Sequence, residues 1–116
     1  MIEDDSTSME LMLYLLRSFG YTIMFAFDAE DGLRLATSTA PHLILCDVQL
    51  PGMSGLAFVR KLKGAGELHG VPVVAVTAMA TMGDKEGLMS LGFDGYISKP
   101  IDPERLHAQI EEYLGR

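Results

Sequence analysis

The residues best suited to chemistry in this sequence are a few acids, one hydroxyl and one amine, each placed just after a short apolar run. They are Glu3, Asp4, Asp5, Asp47, Thr77 and Lys99. Taken singly, each is ordinary, because an aspartate after an apolar run is usually a turn or cap residue and a lone lysine usually lies at the surface. Taken together they are informative, since separate positions rarely offer complementary chemistry by accident.

The chemistry that this set favours is metal-assisted phosphoryl transfer. Clustered carboxylates repel one another unless a cation neutralises them. An oxygen-only ligand set without histidine or cysteine suits a hard cation such as Mg²⁺. A carboxylate held beside such a cation can act as a nucleophile toward phosphorus, and phosphoryl transfer mainly requires positioning and charge neutralisation. The Lys99 ammonium and the Thr77 hydroxyl would contribute to both.

Apolar runs alternate along the chain with segments of helical periodicity, which predicts a parallel sheet covered on both faces by helices. Four strands are clear, at residues 21–27, 43–46, 71–76 and 95–97. Five helices are predicted, over about 6–19, from Asp28 to Pro41, from Gly55, over 82–91, and from Asp102. In such sheets ligands bind at the carboxyl ends of the strands, so the six polar residues are expected to converge on one edge.

The predicted first strand is unusually short. A fifth strand should precede the first helix, yet only Met1 and Ile2 lie before the acidic cluster. If Met1 is the true start, this strand is underfilled and Glu3 and Asp4 lie on an end that can fray; the alternative is that native residues precede Met1.

Composition limits the classes of function. The 116 residues suffice for one domain with its own core, and the net charge of −7 argues against nucleic acid or an anionic membrane as a direct partner. One cysteine, Cys46, permits no internal disulfide and suits a reducing compartment. No apolar stretch is long enough to span a membrane. A cytoplasmic location is the expectation.

Four segments of the chain resemble the receiver domain of bacterial two-component response regulators. They are IEDD, LILCDVQLPGMSG, VPVVAVTA and GYISKPI. Within that family the sequence is most similar to single-domain regulators of the DivK type. The resemblance implies an α/β, flavodoxin-like fold: a doubly wound five-stranded parallel sheet of order 2-1-3-4-5 with five helices. It also implies that residues 1–116 form one receiver domain without an output domain.

The same resemblance assigns roles around a phosphoacceptor, Asp47. Glu3 and Asp4 would form the acidic pair that holds Mg²⁺, with Asp4 a direct ligand and Glu3 acting through water. Asp47 itself and the backbone carbonyl of Gln49 would complete the protein ligands. Lys99 would pair with the phosphoryl oxygens.

Other positions would read out and time the modification. Thr77 would bond to the phosphoryl group and, with Tyr96, form the switch. Gln49 and Met79 lie where receivers tune dephosphorylation, and an apolar Met79 should slow the attack of water. The Lys99–Pro100 bond is cis in many receivers and is a candidate for a cis bond here.

The implied function is that of a phosphorelay receiver. The phosphodonor would be a sensor histidine kinase or a histidine phosphotransfer protein, and a downstream protein would bind through the last two helices and strand. The domain would not be an enzyme beyond catalysing its own phosphorylation and dephosphorylation. Two alternatives stay open: a receiver-like interaction module that is not phosphorylated, and a receiver fragment of a hybrid kinase.

Overall fold

The structure, a computed structural model, describes residues 1–3, 5–47, 55–64, 68, 70–78, 86–87, 89–90 and 92–115. The helices are α1 (Ser6–Ser18), α2 (Ala29–Thr39), α3 (Gly55–Gly64) and α4 (Pro103–Leu114). The strands are β1 (Ile44–Asp47), β2 (Val73–Thr77) and β3 (Gly95–Ser98). Four further residues, Glu86, Gly87, Met89 and Ser90, are helical.

Aspartate caps start the helices where the sequence predicts them. The Asp28 carboxylate accepts a hydrogen bond from the backbone N–H of Asp31 at 2.8 Å, which fixes the start of α2. Asp102 caps α4, and Pro103 occupies the first turn, where its missing N–H costs nothing. These caps set where the chain leaves each strand and enters the following helix.

The three strands form a parallel sheet in the order β1-β2-β3. In register, Cys46 lies opposite Ala75, and Ala75 lies opposite Tyr96. Beyond β1, Ile2 makes one isolated parallel bridge to Cys46 and another to Ala26. The segments around Ala26 and Ile2 therefore lie beside β1 in the predicted order, but their bridges are isolated and neither segment forms a regular strand.

The expectation of five strands and five helices is thus only partly met, since the described residues form three strands and four helices. The predicted strand over 21–27 is not confirmed, because within the described residues this segment makes one isolated bridge, from Ala26 to Ile2, and no continuous ladder. The predicted helix over 82–91 lies mostly outside the described residues.

Apolar side chains cover both faces of the sheet, as predicted. Alternation along the strands sends Ile44, Val73 and Ala75 into a core with α2 and α3, and Leu45, Val74 and Val76 into a second core with α1 and α4. β2 is buried at all five positions. The carboxyl end of β2, the middle of the three strands, is therefore packed on both faces of the sheet. Within the described residues, no helix combines the length and apolarity that crossing a membrane requires.

Candidate functional site

The carboxyl ends of the three strands bring the predicted polar residues to one edge of the sheet. Asp47 ends β1 opposite Val76, and Thr77 follows as the last residue of β2. Thr77 lies opposite Ser98, and the backbone N–H of Lys99 donates to the Thr77 carbonyl at 2.7 Å. The positions of Asp47, Thr77 and Lys99 thus follow from strand register.

Glu3 reaches the same edge through backbone hydrogen bonds to β1. The N–H of Ile2 donates to the Leu45 carbonyl at 2.8 Å, and the N–H of Asp47 donates to the Ile2 carbonyl at 2.9 Å. On the other side, the N–H of Glu3 donates to the Ala26 carbonyl at 3.1 Å. These bonds align Glu3 with Asp47 although no regular strand forms.

The Lys99 ammonium lies between the two carboxylates. Its Nζ is 2.9 Å from Glu3 Oε1 and 3.5 Å from Asp47 Oδ2. The Glu3 side chain is completely buried, whereas the side chains of Asp47 and Lys99 are 13% and 28% exposed. One cation therefore serves two acids, and Asp47 keeps a path to solvent.

Burial and charge shift the pKa values of this group. The pKa of Glu3 is raised to about 7, first because the side chain is buried and second because the Asp47 carboxylate is close, while the Lys99 ammonium opposes the shift. Burial tends to lower the pKa of Lys99, but the Glu3 and Asp47 carboxylates outweigh it, so the net shift is upward. Lys99 therefore stays charged at neutral pH, whereas the negative charge of ionised Glu3 is only partly neutralised by its surroundings.

The donor set fits a hard divalent cation. Glu3 Oε2 is buried and has no hydrogen-bond partner among the described residues, so one carboxylate oxygen lacks compensation. Asp5, the third member of the acidic cluster, instead caps α1, where its carboxylate accepts bonds from the Ser8 N–H at 3.1 Å and the Ser8 hydroxyl at 2.7 Å. No group of three or more potential ligands occurs in the described part of the chain, from which Asp4 is missing.

Thr77 and Tyr96 occupy neighbouring strands on one face of the sheet. Thr77 is buried, and alternation puts it on the same side as Ala75, which pairs with Tyr96. The half-buried Tyr96 packs against the core shared with α2 and α3. A movement of the Thr77 side chain would therefore take place next to Tyr96.

Three predicted site residues, Asp4, Gln49 and Met79, lie outside the described residues. The Lys99–Pro100 bond is cis, as the resemblance implied. Burial raises the pKa of the Cys46 thiol, which agrees with its interpretation as a small core residue.

Sequence reasoning missed the ion pair between Lys99 and Glu3. The two residues are 96 positions apart, and both had been assigned to other partners, Lys99 to the phosphoryl oxygens and Glu3 to metal-bound water. Strand order predicts that both residues reach one edge of the sheet, but it does not predict that their side chains pair directly.

Comparison with known proteins identifies the family. Residues 1–111 match the response regulator receiver domain. The chain belongs to this family. It is 41% identical over 114 residues to the polar-differentiation response regulator DivK of Brucella anthropi, covering 98% of this chain and 93% of that protein. The sequence-based likeness to DivK-type regulators is confirmed.

Solved receiver structures share the fold. The receiver domain of the sensor histidine kinase PA1611 from Pseudomonas aeruginosa superposes with a TM-score of 0.90 at 28% identity, covering 99% of this chain and 94% of that chain. That structure has a magnesium ion coordinated in its active site cleft. A receiver domain protein from Methanospirillum hungatei gives a TM-score of 0.86 at 28% identity, covering 98% and 90% of the two chains. The flavodoxin-like receiver architecture is therefore shared.

Proposed function

We propose that this chain accepts a phosphoryl group on Asp47 in a Mg²⁺-dependent reaction with a phosphohistidine donor. The observation that carries the proposal is the juxtaposition of the Asp47 and Glu3 carboxylates around the Lys99 ammonium, with one buried Glu3 oxygen that has no hydrogen-bond partner among the described residues. A pair of acids in this environment favours a divalent cation, and that cation together with the Lys99 ammonium can offset the negative charge of a phosphoryl group.

Asp47 is the nucleophile in this reaction. One carboxylate oxygen forms a bond to phosphorus while the P–N bond of the donor breaks, and the imidazole leaves with the electron pair and is protonated. The partial exposure of Asp47 supports this role, because the donor must approach from solvent. Cys46, by contrast, is buried and protonated, so it does not compete as a nucleophile.

The neighbouring residues neutralise and orient the transferred group. Lys99, whose pKa is raised, would hold its ammonium against the phosphoryl oxygens, and the Thr77 hydroxyl would donate to the same group. Glu3, Asp4, Asp47 and the Gln49 carbonyl would hold Mg²⁺. When bound, this ion neutralises charge on the acids and on the phosphoryl oxygens.

Phosphorylation would act as a switch for protein contacts. When Lys99 shifts toward the phosphoryl group it loosens its bond to Glu3, and Thr77 moves toward the same group beside Tyr96. The partners we propose are a sensor histidine kinase or histidine phosphotransfer protein as donor and a target protein that binds β3, α4 and the segment before β3. The domain would catalyse only its own phosphorylation and dephosphorylation, slowly so if Met79 hinders water.

Intact-mass measurement with acetyl phosphate tests this proposal. The protein is incubated with and without Mg²⁺, in parallel with Asp47→Asn and with Asp31→Asn, an exposed aspartate on α2 that serves as the matched control. We expect one added phosphoryl group in the wild type and the control, only when Mg²⁺ is present, and none in Asp47→Asn.

Phosphoryl addition to Asp47→Asn at the wild-type level would remove Asp47 from its proposed role. No addition to the folded wild type with either acetyl phosphate or a phosphohistidine donor would favour the interaction module that is not phosphorylated.

A further inference from the structure

The segment from Tyr21 to Phe27 forms an outer edge of the sheet with unusual composition. Its sequence, YTIMFAF, contains no charge, glycine or proline, which are the devices that usually prevent a sheet edge from pairing with another chain. Met24, Phe25 and Phe27 are 49%, 43% and 45% exposed. We call residues 21–27 the aromatic edge.

The inner side of the aromatic edge is occupied by the start of the chain. The Ala26 N–H donates to the Met1 carbonyl at 3.0 Å, and the Ala26 carbonyl accepts from Glu3. The Met24 carbonyl accepts from the Met1 amino group at 2.9 Å. Positions 24 and 26 thus direct their backbone groups inward.

The outer side presents unpaired backbone groups. In extended chain, successive residues direct their N–H and C=O groups to opposite edges, so Ile23, Phe25 and Phe27 direct theirs outward. Within the described residues, none of these three makes a backbone hydrogen bond. The Phe25 and Phe27 rings contact each other edge to face, with centroids 5.8 Å apart, and form one apolar face beside this row.

Charge around the aromatic edge favours a second copy of this chain as the occupant. The chain carries a net charge of −7, so most of its surface repels another copy, but from Leu11 to Phe27 its single charged residue is Arg17. Asp28, Glu30 and Asp31 follow directly. When two edges pair antiparallel, the N-terminal end of one edge, which follows Arg17, lies beside the acidic C-terminal end of the other. These opposite charges attract each other.

We propose that two copies associate by antiparallel pairing of their aromatic edges across a two-fold axis at Phe25. The outward positions fit this register, because Phe25 then faces Phe25 of the second copy and Ile23 faces Phe27. Facing aromatic and β-branched residues stabilise such pairs. The contact is isologous and closed, so it yields a dimer and not a filament. It lies on the opposite side of the sheet from β3 and does not depend on phosphorylation.

Sedimentation of the full chain tests the dimer over loading concentrations from about 1 μM to about 1 mM, the range of weak association. Phe25→Lys and Phe25→Glu each place like charges opposite each other, so each variant is expected to weaken dimerisation at least about tenfold. An equimolar mixture of the two should restore it, because Lys then faces Glu. Tyr14→Lys, on the exposed face of α1, is the matched control and should dimerise as the wild type does.

The mixture separates loss of pairing from loss of folding, because a misfolded variant would not regain a partner. Circular dichroism of each variant provides a second check. A wild type that stays monomeric at the highest concentration would overturn the proposal, as would wild-type dimerisation of Phe25→Lys. Loss of the dimer in Tyr14→Lys would also overturn it, by moving the contact to α1. Dimerisation should persist without Mg²⁺ and acetyl phosphate.

Discussion

The two sides of the sheet carry the site in different ways. On one side, β1, β2 and β3 hold Asp47, Thr77 and Lys99 through continuous ladders between apolar cores. On the other side, Glu3 is positioned by a three-residue segment that makes single bridges to Ala26 and Cys46. Glu3 is nevertheless as deeply buried as the core of β2.

The comparison shows that a site residue can be fully buried without being held by a regular strand. The ladder side gives fixed positions to the nucleophile and to the cation that faces it, and strand register determines both. The bridge side supplies an acid whose negative charge is only partly neutralised and whose segment is held by isolated bridges instead of a continuous ladder. Stability changes should therefore be larger on the ladder side, and changes in metal response should be larger on the bridge side.

The largest effect is expected from Gly95→Ala in β3. A Cβ at Gly95 would overlap the ring of Tyr113 in α4, so that ring or the helix that carries it would have to move. We expect the free energy of unfolding to fall by about 3 kcal/mol, the upper range for overpacking. Urea denaturation measures it.

On the bridge side, Gly32→Ala is the counterpart of this substitution. Its Cβ would lie 2.6 Å from Ile2 Cδ1 and 2.8 Å from Ile2 Cγ1, on a segment that makes isolated bridges instead of a ladder and can shift more easily than β3. A loss of about 1 kcal/mol is expected. Equal losses for Gly32→Ala and Gly95→Ala would contradict the contrast between the two sides.

Removing the shared cation should have the next largest effect. Lys99→Ala leaves the Glu3 and Asp47 carboxylates facing each other, so we expect a loss of about 2 kcal/mol at pH 8 without Mg²⁺. Thermal melts should show that Mg²⁺ restores most of this loss, because the ion then compensates both acids. The variant should retain Mg²⁺ binding but lose the conformational response to phosphorylation.

Lys61→Ala on the exposed side of α3 is the matched control and should melt close to the wild type. Loss of Mg²⁺ binding in Lys99→Ala, or an unaltered response to acetyl phosphate, would remove Lys99 from the proposed mechanism.

A gain in stability of similar size, present only at high pH, is expected from Glu3→Gln. The pKa of Glu3 rises from 4.5 to about 7 in the folded protein, so its contribution to stability is full below about pH 4.5 and is lost as the pH rises through 7. Glutamine does not ionise. The variant should therefore be more stable than the wild type at pH 8 by on the order of 2 kcal/mol, and about equal at pH 4.

Mg²⁺ provides the second half of this measurement. It should stabilise the wild type at pH 8 and have much less effect on Glu3→Gln, whereas Glu10→Gln on exposed α1 should behave as the wild type. The prediction is contradicted if the stability of Glu3→Gln relative to the wild type falls, instead of rising, between pH 4 and pH 8.

Local sequence signals predicted one side of the sheet better than the other. The apolar runs before Asp47 and Thr77 and the caps at Asp28 and Asp102 are encoded within a few residues, and the structure has them where they were expected. The segment over 21–27 has strong β propensity, but a strand also needs a continuous ladder, and within the described residues its bridge from Ala26 to Ile2 is isolated. Propensity alone does not contain that information.

The site shows the same division. Strand ends predicted that Glu3, Asp47 and Lys99 would meet, because topology alone determines it. Lys99 bonds directly to Glu3, which lies 96 positions away, and the second Glu3 oxygen has no hydrogen-bond partner among the described residues. Both features depend on side-chain geometry, which a sequence motif does not contain.

The most direct test of the central proposal is to locate the phosphoryl group itself. The wild type is treated with acetyl phosphate and Mg²⁺, reduced with borohydride to convert an aspartyl phosphate to homoserine, and mapped by peptide mass spectrometry. We predict homoserine at position 47 and aspartate retained at positions 4, 5 and 94. Homoserine at any of those other positions, with Asp47 unchanged, would contradict the assignment of Asp47 as the phosphoacceptor.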